Sequence, residues 1–271
     1  MEPQESPGSV GRREALGLGA LGAVGIGLFL GGDGRSASPP RPARVAARAR
    51  PSAPPPVTTT PRPAPATPVA LWHKPAFRVS DIVPGAPPNA IALTIDDGPH
   101  PVYTPQVLEL LERYNVKATF CLIGEQIRAN EKIVRMMADE GHQVANHTWT
   151  HPLNIRRLSR ARVDQEIAKT FAQIVDVTGT NPKLFRSPGG NWSPTVFEQV
   201  AKHGMIPLDW DVDPRDWSKP GTSQIIHQML RGRGGDILLC HDGGGDRTET
   251  LHALRVVLPR LKDRGLEFVT L

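Results

Sequence analysis

The sequence predicts an α/β fold: a largely parallel sheet of about seven strands, closed or nearly closed into a distorted (β/α) barrel, over residues 89–271. Two patterns predict it. Short apolar runs at residues 91–96, 118–124, 143–147, 184–187, 205–212, 236–241 and 266–271 alternate with amphipathic stretches. That order is the one expected of strand–helix units in a parallel sheet. In addition, the chemically distinctive polar residues Asp96, Asp97, His147, His151, Arg186, Asp213 and His241 each fall at or just past the end of one of these runs. Barrels of this kind carry their chemistry at the carboxyl ends of the strands. The clustering therefore argues for an active site and against scattered structural polarity.

The chain ahead of that region has no means of folding by itself. In residues 1–35, Arg12 and Arg13 precede a charge-free stretch, 15–32, rich in Gly, Ala and Leu. A positive n-region with an apolar h-region resembles an export signal of the twin-arginine kind. The run of about 18 residues also reaches the lower limit for a spanning helix, so an uncleaved N-terminal membrane anchor is the alternative. Residues 36–88 hold more than half of the chain's 28 prolines, among Ala, Thr and Arg. Such composition buries no core and reads as a disordered tether. The remainder is expected outside the cytoplasmic membrane, extracellular or associated with a cell wall. The net charge of +5 belongs to this front end: residues 1–80 hold 10 Lys and Arg against 4 Asp and Glu, and residues 81–271 hold 22 against 23. A near-neutral folded part carries no nucleic-acid footprint, and a monomer is expected.

Helix signals separate the strand-like runs. Thr104-Pro105 reads as an N-cap with proline at the first helical position, followed by Val107, Leu108 and Leu111 on one face. Asn130 opens the next helix, which Gly141 closes. Ser159 opens a longer one that ends at Gly179, and Ser193-Pro194 opens another that Gly204 stops. The last spans about 248–264, with Gly265 beyond it. Cys121 and Cys240 each lie inside an apolar run, where free, buried thiols are expected.

The chemistry begins at Thr94-Ile95-Asp96-Asp97-Gly98-Pro99, where a β-branched run delivers two adjacent carboxylates into a turn. Carboxylates at such a place need a partner, a hydrogen bond or a metal. His147-Thr148-Trp149-Thr150-His151 sets two imidazoles four residues apart, a spacing that on a helical turn puts both rings on one side. Two histidines and one carboxylate make a three-ligand site with open positions, the arrangement of a catalytic zinc.

These segments together resemble the NodB-type polysaccharide deacetylases, carbohydrate esterase family 4, over residues 91–271. The resemblance rests on five ordered motifs: Thr94 to Pro99; His147 and His151; Arg186-Ser187-Pro188-Gly189-Gly190; Asp213-Pro214-Arg215-Asp216-Trp217; and Leu239-Cys240-His241-Asp242. It implies that Asp96 is the general base and that Asp97, His147 and His151 hold a divalent metal, zinc first, with cobalt or nickel tolerated. It implies further that Arg186 orients Asp96, that Asp213 supports the general acid His241, and that Pro188, Gly189, Trp217 and Leu239 contact the substrate. A backbone N–H at Gly189 would take up oxyanion charge. The chain departs from the family at two places. Gly189 stands where an aromatic residue is usual, with Trp192 as the candidate replacement, and Cys121 stands where phenylalanine is common.

The expected substrate is a carbohydrate polymer bearing N-acetylglucosamine, peptidoglycan or chitin-like, with peptidoglycan favoured by the export signal and tether. A chitooligosaccharide deacetylase and an acetyl xylan esterase use the same machinery and are the alternatives within the enzyme class. A wall-binding protein that has lost turnover is the alternative outside it.

Overall fold

The computed structural model describes residues 71–271; the export signal or anchor and residues 36–70 of the tether lie outside the described residues. The elements run α1 (Val79–Ile82), β1 (Ala90–Asp96), α2 (Tyr103–Arg113), β2 (Thr119–Leu122), α3 (Gly124–Ala129), α4 (Glu131–Asp139), β3 (Gln143–Asn146), α5 (Arg160–Thr178), β4 (Leu184–Phe185), α6 (Pro194–Lys202), β5 (Ile206–Pro207), α7 (Thr222–Met229), β6 (Ile237–His241), α8 (Thr248–Asp263) and β7 (Glu267–Phe268). Six strands lie in the order β5-β4-β3-β2-β1-β6, each pair parallel, and β7 joins β1 at Ala90 and Ile91. Each strand-like run of the sequence holds a strand, several of them far shorter than the run. Among the described residues no helix is long and apolar enough to cross a membrane.

The two-residue period of a strand sorts β1 between two environments. Ile91, Leu93 and Ile95 pack outward into a cluster with residues of α2, α4 and α8, while Ala90 and Ala92 face a second cluster with Cys121, Ala145, Leu184, Leu208 and Ile237. Large apolar side chains cover the outer face. On β1, β2 and β3 the concave face carries small residues (Ala90, Ala92, Cys121 and Ala145), and Leu184, Leu208 and Ile237 fill the space beside them. Thr94 and Asp96 continue the concave row toward the carboxyl end, and all seven residues of β1 are buried. Both cysteines are free and buried.

Several expectations are corrected. Residues 75–83, assigned to the disordered tether, pack against the sheet. Ala76 bridges Leu208 just past β5, Arg78 bridges Asp236 just before β6, and Ala76 and Val79 are buried. On the other side of the same gap Val212 bridges Leu238. These single bridges stitch β5 to β6 where the strand ladder does not. Thr104 does not cap α2. Its hydroxyl turns inward to donate to Asp242 Oδ2 at 2.6 Å, and His100 Nδ1 accepts the N–H groups of Val102 and Tyr103 instead. The signals at Ser159 and Ser193 hold: each side chain accepts the N–H three residues on, and Gly179 closes α5 in the left-handed region.

The crowded concave face yields a test. Ala92→Leu should lower unfolding stability by about 1–3 kcal/mol through overpacking, read as a drop in the urea midpoint. An unchanged midpoint would mean that the interior has room to spare.

Candidate active site

Four strands, β1, β3, β4 and β6, bring the expected residues together at their carboxyl ends. The register sets Asp96 of β1 opposite Cys121 of β2 and opposite His241 of β6. Arg186 follows β4 and reaches across the concave face. Its Nη1 donates to Asp96 Oδ1 at 2.7 Å and to Thr94 Oγ1 at 2.8 Å, and its Nη2 donates to the Asp209 carbonyl at 2.9 Å. The guanidinium is fully buried, and the Trp210 ring lies 5.5 Å from it.

Asp97, His147 and His151 place one donor atom each within 4.8 Å of one another. Nε2 of His147 stands 3.5 Å, and Nε2 of His151 3.3 Å, from Asp97 Oδ1. Neither contact makes a hydrogen bond, so this buried oxygen has no hydrogen-bond partner. The Nδ1 of His147 lies 2.9 Å from the Arg186 carbonyl. A carbonyl only accepts, so Nδ1 carries the proton and the Nε2 lone pair faces Asp97. Burial pushes the His151 pKa down, toward the neutral form that ligates, and the neighbouring His147 adds to it. Burial raises the Asp97 carboxyl, but the His147, His241 and His151 rings outweigh it and hold its pKa well below the usual carboxylate range. An unpartnered buried carboxylate oxygen facing two imidazole nitrogens fits a divalent cation.

The two histidines meet by a route the sequence reading did not foresee. Residues 147–151 form an irregular loop, not a helical turn. Thr148 and His151 both take left-handed backbone, at φ 66 and φ 56, as does Asp97 at φ 73. The buried carboxylate of Glu166, on α5, shapes the loop: it accepts the N–H groups of Trp149 and Thr150 at 2.9 and 2.8 Å and the Thr150 hydroxyl at 2.9 Å. Glu166 was missed, because a lone acid on an amphipathic helix carries no signal of what it folds.

The expected partner of His241 is also corrected. Asp216, not Asp213, holds it: Oδ1 lies 2.7 Å from His241 Nδ1, and Oδ2 accepts the His241 N–H and the Thr250 hydroxyl. Asp213 turns back on its own segment and accepts the Arg215 N–H at 2.7 Å. That is the local turn an Asp-Pro pair favours. The turn signal at Asp213-Pro214 was available and would have left Asp216 as the acid free to reach inward. Burial lowers the His241 pKa, but Asp216 first, then Asp96 and Asp97, push it up to about 9.

The substrate-contact candidates are distributed around this centre. Leu239 is buried on the concave side, in register with Thr94 and two residues before His241. Trp217 is exposed, with the Arg215 guanidinium 5.3 Å from its ring. Pro188 is buried and Gly189 exposed in a 3-10 turn after Arg186. Trp192 does not replace a side chain at 189. It donates to Asp209 Oδ2 at 2.9 Å and stacks on Phe197.

Comparison with known proteins bears on this geometry. The polysaccharide deacetylase family profile matches residues 84–208. A peptidoglycan-N-acetylglucosamine deacetylase of Bacillus cereus is 41% identical over 186 residues, 66% of this chain and 85% of that one. A chitooligosaccharide deacetylase of a Bradyrhizobium species is 38% identical over 192 residues, 66% of this chain and 87% of that one. Among solved structures, a peptidoglycan N-acetylglucosamine deacetylase superposes with TM-score 0.65 at 34% identity, covering 68% of this chain and 86% of that one. A family 4 carbohydrate esterase pseudoenzyme from Bacillus anthracis superposes with TM-score 0.64 at 28% identity, covering 74% and 67%.

Glu166→Ala should loosen the loop that presents His147 and His151. Cation affinity, measured by competition with a chelator, is expected to fall about 10–100-fold, as when an outer-shell partner is lost. Equal affinity in the variant would show that the loop keeps its shape without Glu166.

Proposed function

Since the chain belongs to the polysaccharide deacetylase family, carbohydrate esterase family 4, and is a hydrolase of that class, we propose that it removes N-acetyl groups from N-acetylglucosamine units of peptidoglycan. One observation carries the reading: Asp96 paired with Arg186, and His241 paired with Asp216, stand in register on adjacent strands beside the Asp97, His147 and His151 cluster. A base and an acid flanking a cation site are what amide hydrolysis needs. The choice of peptidoglycan rests on the Bacillus cereus relative together with the export signal and tether read at residues 1–88.

An acetamide resists water because its carbonyl is a poor electrophile and its amine a poor leaving group. Asp97, His147 and His151 would hold the cation, zinc first, which lowers the pKa of water toward about 7 and polarises the carbonyl. Asp96 takes a proton from the attacking water as the C–O bond forms. Arg186 aims that carboxylate through its short contact to Oδ1, leaving Asp96 Oδ2 to face His147 Nε2 at 3.7 Å. The Gly189 N–H takes up charge on the carbonyl oxygen, and the apolar Leu239 side chain walls the acetyl methyl. As the C–N bond breaks, His241 gives its proton to the departing amine, and Asp216 stabilises the imidazolium and fixes its orientation. The products are acetate and a free amine on the sugar.

The Bradyrhizobium relative keeps a chitooligosaccharide substrate as the runner-up. The Bacillus anthracis pseudoenzyme gives a catalytically silent reading its precedent. That reading is disfavoured here, because base, acid, both positioning partners and all three ligands are present in mutual contact.

Acetate release by the full chain from peptidoglycan, N-acetylglucosamine oligomers and acetylated xylan, with and without zinc, tests the proposal. Zinc-dependent acetate from the N-acetyl substrates, abolished by Asp97→Ala, is expected. Acetate from xylan alone would reassign the chain to an esterase. The acid predicts a pH profile as well. Activity should fall as pH rises through the His241 pKa, about 9. Asp216→Asn removes the group that raises it, so the alkaline limb should move down toward about 6.5. A limb that stayed in place would remove His241 from the acid role.

A further inference from the structure

Gly189 leaves one side of the candidate site without a side chain, and a neighbouring loop fills the gap. A Cβ placed on Gly189 would lie 3.4 Å from Cδ2 of Leu153 and 3.0 Å from Nδ2 of Asn191. The Asn191 amide is committed to the Pro188 carbonyl at 3.0 Å. Leu153 belongs to none of the hydrophobic clusters of the described residues. At 63% exposure it stands out further than any other large hydrophobic side chain among the described residues. A single exposed leucine is ordinary on a protein surface. This one lies two residues after His151, in a loop pinned on its far side by the buried Ile155, whose N–H donates to the Pro152 carbonyl. The loop is anchored, and Leu153 is what it presents.

Trp217, beside Asp216, supplies a second exposed apolar surface at the site, 49% exposed. A pyranose ring has apolar C–H faces between its polar edges, so a groove with apolar walls takes the ring while the polar groups of the site read its substituents. We propose that Leu153 contacts the substrate and determines specificity, forming the groove wall that residue 189 does not provide. An aliphatic wall gives contact area without a π face or a phenolic hydroxyl. It holds the ring without fixing it through stacking or a directed hydrogen bond. Restoring a side chain at 189 itself is disfavoured, because Gly189 has φ +59, left-handed backbone that strains other residues.

The inference rests on the deacetylase reading, and its test separates the two. Acetate release from N-acetylglucosamine oligomers and oligomer binding by calorimetry are measured on the zinc-loaded full chain, on Leu153→Ala and on Leu153→Met. Leu153→Ala should raise KM and weaken oligomer binding by about fivefold, the loss expected for a partly covered aliphatic side chain, with kcat within about twofold and zinc affinity unchanged. Leu153→Met, which keeps the apolar bulk, should restore KM and binding. Unchanged KM and binding in Leu153→Ala would overturn the proposal. So would a joint fall in kcat and zinc affinity, which would make Leu153 a prop for the His151 loop. Oligomer binding by the wild type without acetate would sink the deacetylase reading, and the binding arm would still decide Leu153.

Discussion

A guanidinium with no access to water governs the carboxyl end of this sheet. Removing a charge of that size from solvent costs several kcal/mol unless its donors are met, and Arg186 places its two terminal nitrogens on Asp96, Thr94 and the Asp209 carbonyl, while its buried Nε has no hydrogen-bond partner. These contacts tie β4 to β1 across the concave face. The Arg186 carbonyl holds His147 by Nδ1 in turn, so one residue aims a carboxylate with its side chain and an imidazole with its backbone. The base and the cation cluster are thereby set relative to each other before any substrate arrives. The small residues that β1, β2 and β3 present to the concave face, Ala92 and Ala145 among them, belong to the same arrangement, since they leave the guanidinium room to cross.

The cluster is held at some cost to the backbone. Asp97, Thr148 and His151 all occupy left-handed conformations that non-glycine residues avoid, worth on the order of 1–3 kcal/mol each where strain is real. Such geometry persists only where the surroundings leave no alternative. At Asp97 the constraint is the glycine turn after Asp242: a Cβ on Gly243 would lie 2.1 Å from the Asp97 carbonyl oxygen, and one on Gly244 2.8 Å from Asp97 Oδ2. At Thr148 and His151 it is Glu166, with the Thr148 hydroxyl accepting the His151 N–H. The glycines are there for close approach.

The sequence was most readable where one residue's chemistry had one use. Strand-like runs located all seven strands, and acids and imidazoles at their ends located the cluster, because a charge beside a buried strand is seldom left without a partner to bind or a proton to move. It was least readable where two residues could serve one role. Asp213 and Asp216 sit three apart in one motif, and only the turn taken by Asp213 decides between them. The spacing of His147 and His151 suits a helix, yet the loop is set by Glu166 from α5, well beyond it in the chain. At six and eight residues α3 and α7 are too short to carry a readable helical pattern, and proline content masked residues 75–83, whose contacts are made chiefly by Ala76, Arg78 and Val79. The fold class followed from pattern; the support of the site followed from contacts between distant segments, which pattern does not carry.

The seam between β5 and β6 differs in kind from the ladders along β1. β1 shares ladders of three residues with β2 and five with β6, while β3 and β4 pair at a single residue. At the seam Ala76, Arg78 and Val212 each contribute an isolated bridge. Cooperativity along a ladder protects every bond in it, and an isolated bridge has no such protection. The sheet should therefore breathe at this seam more readily than along β1. Solvent entering there would first meet Leu208 and Ile237 of the concave cluster, which makes the stretch of chain just before the first strand the latch of the domain.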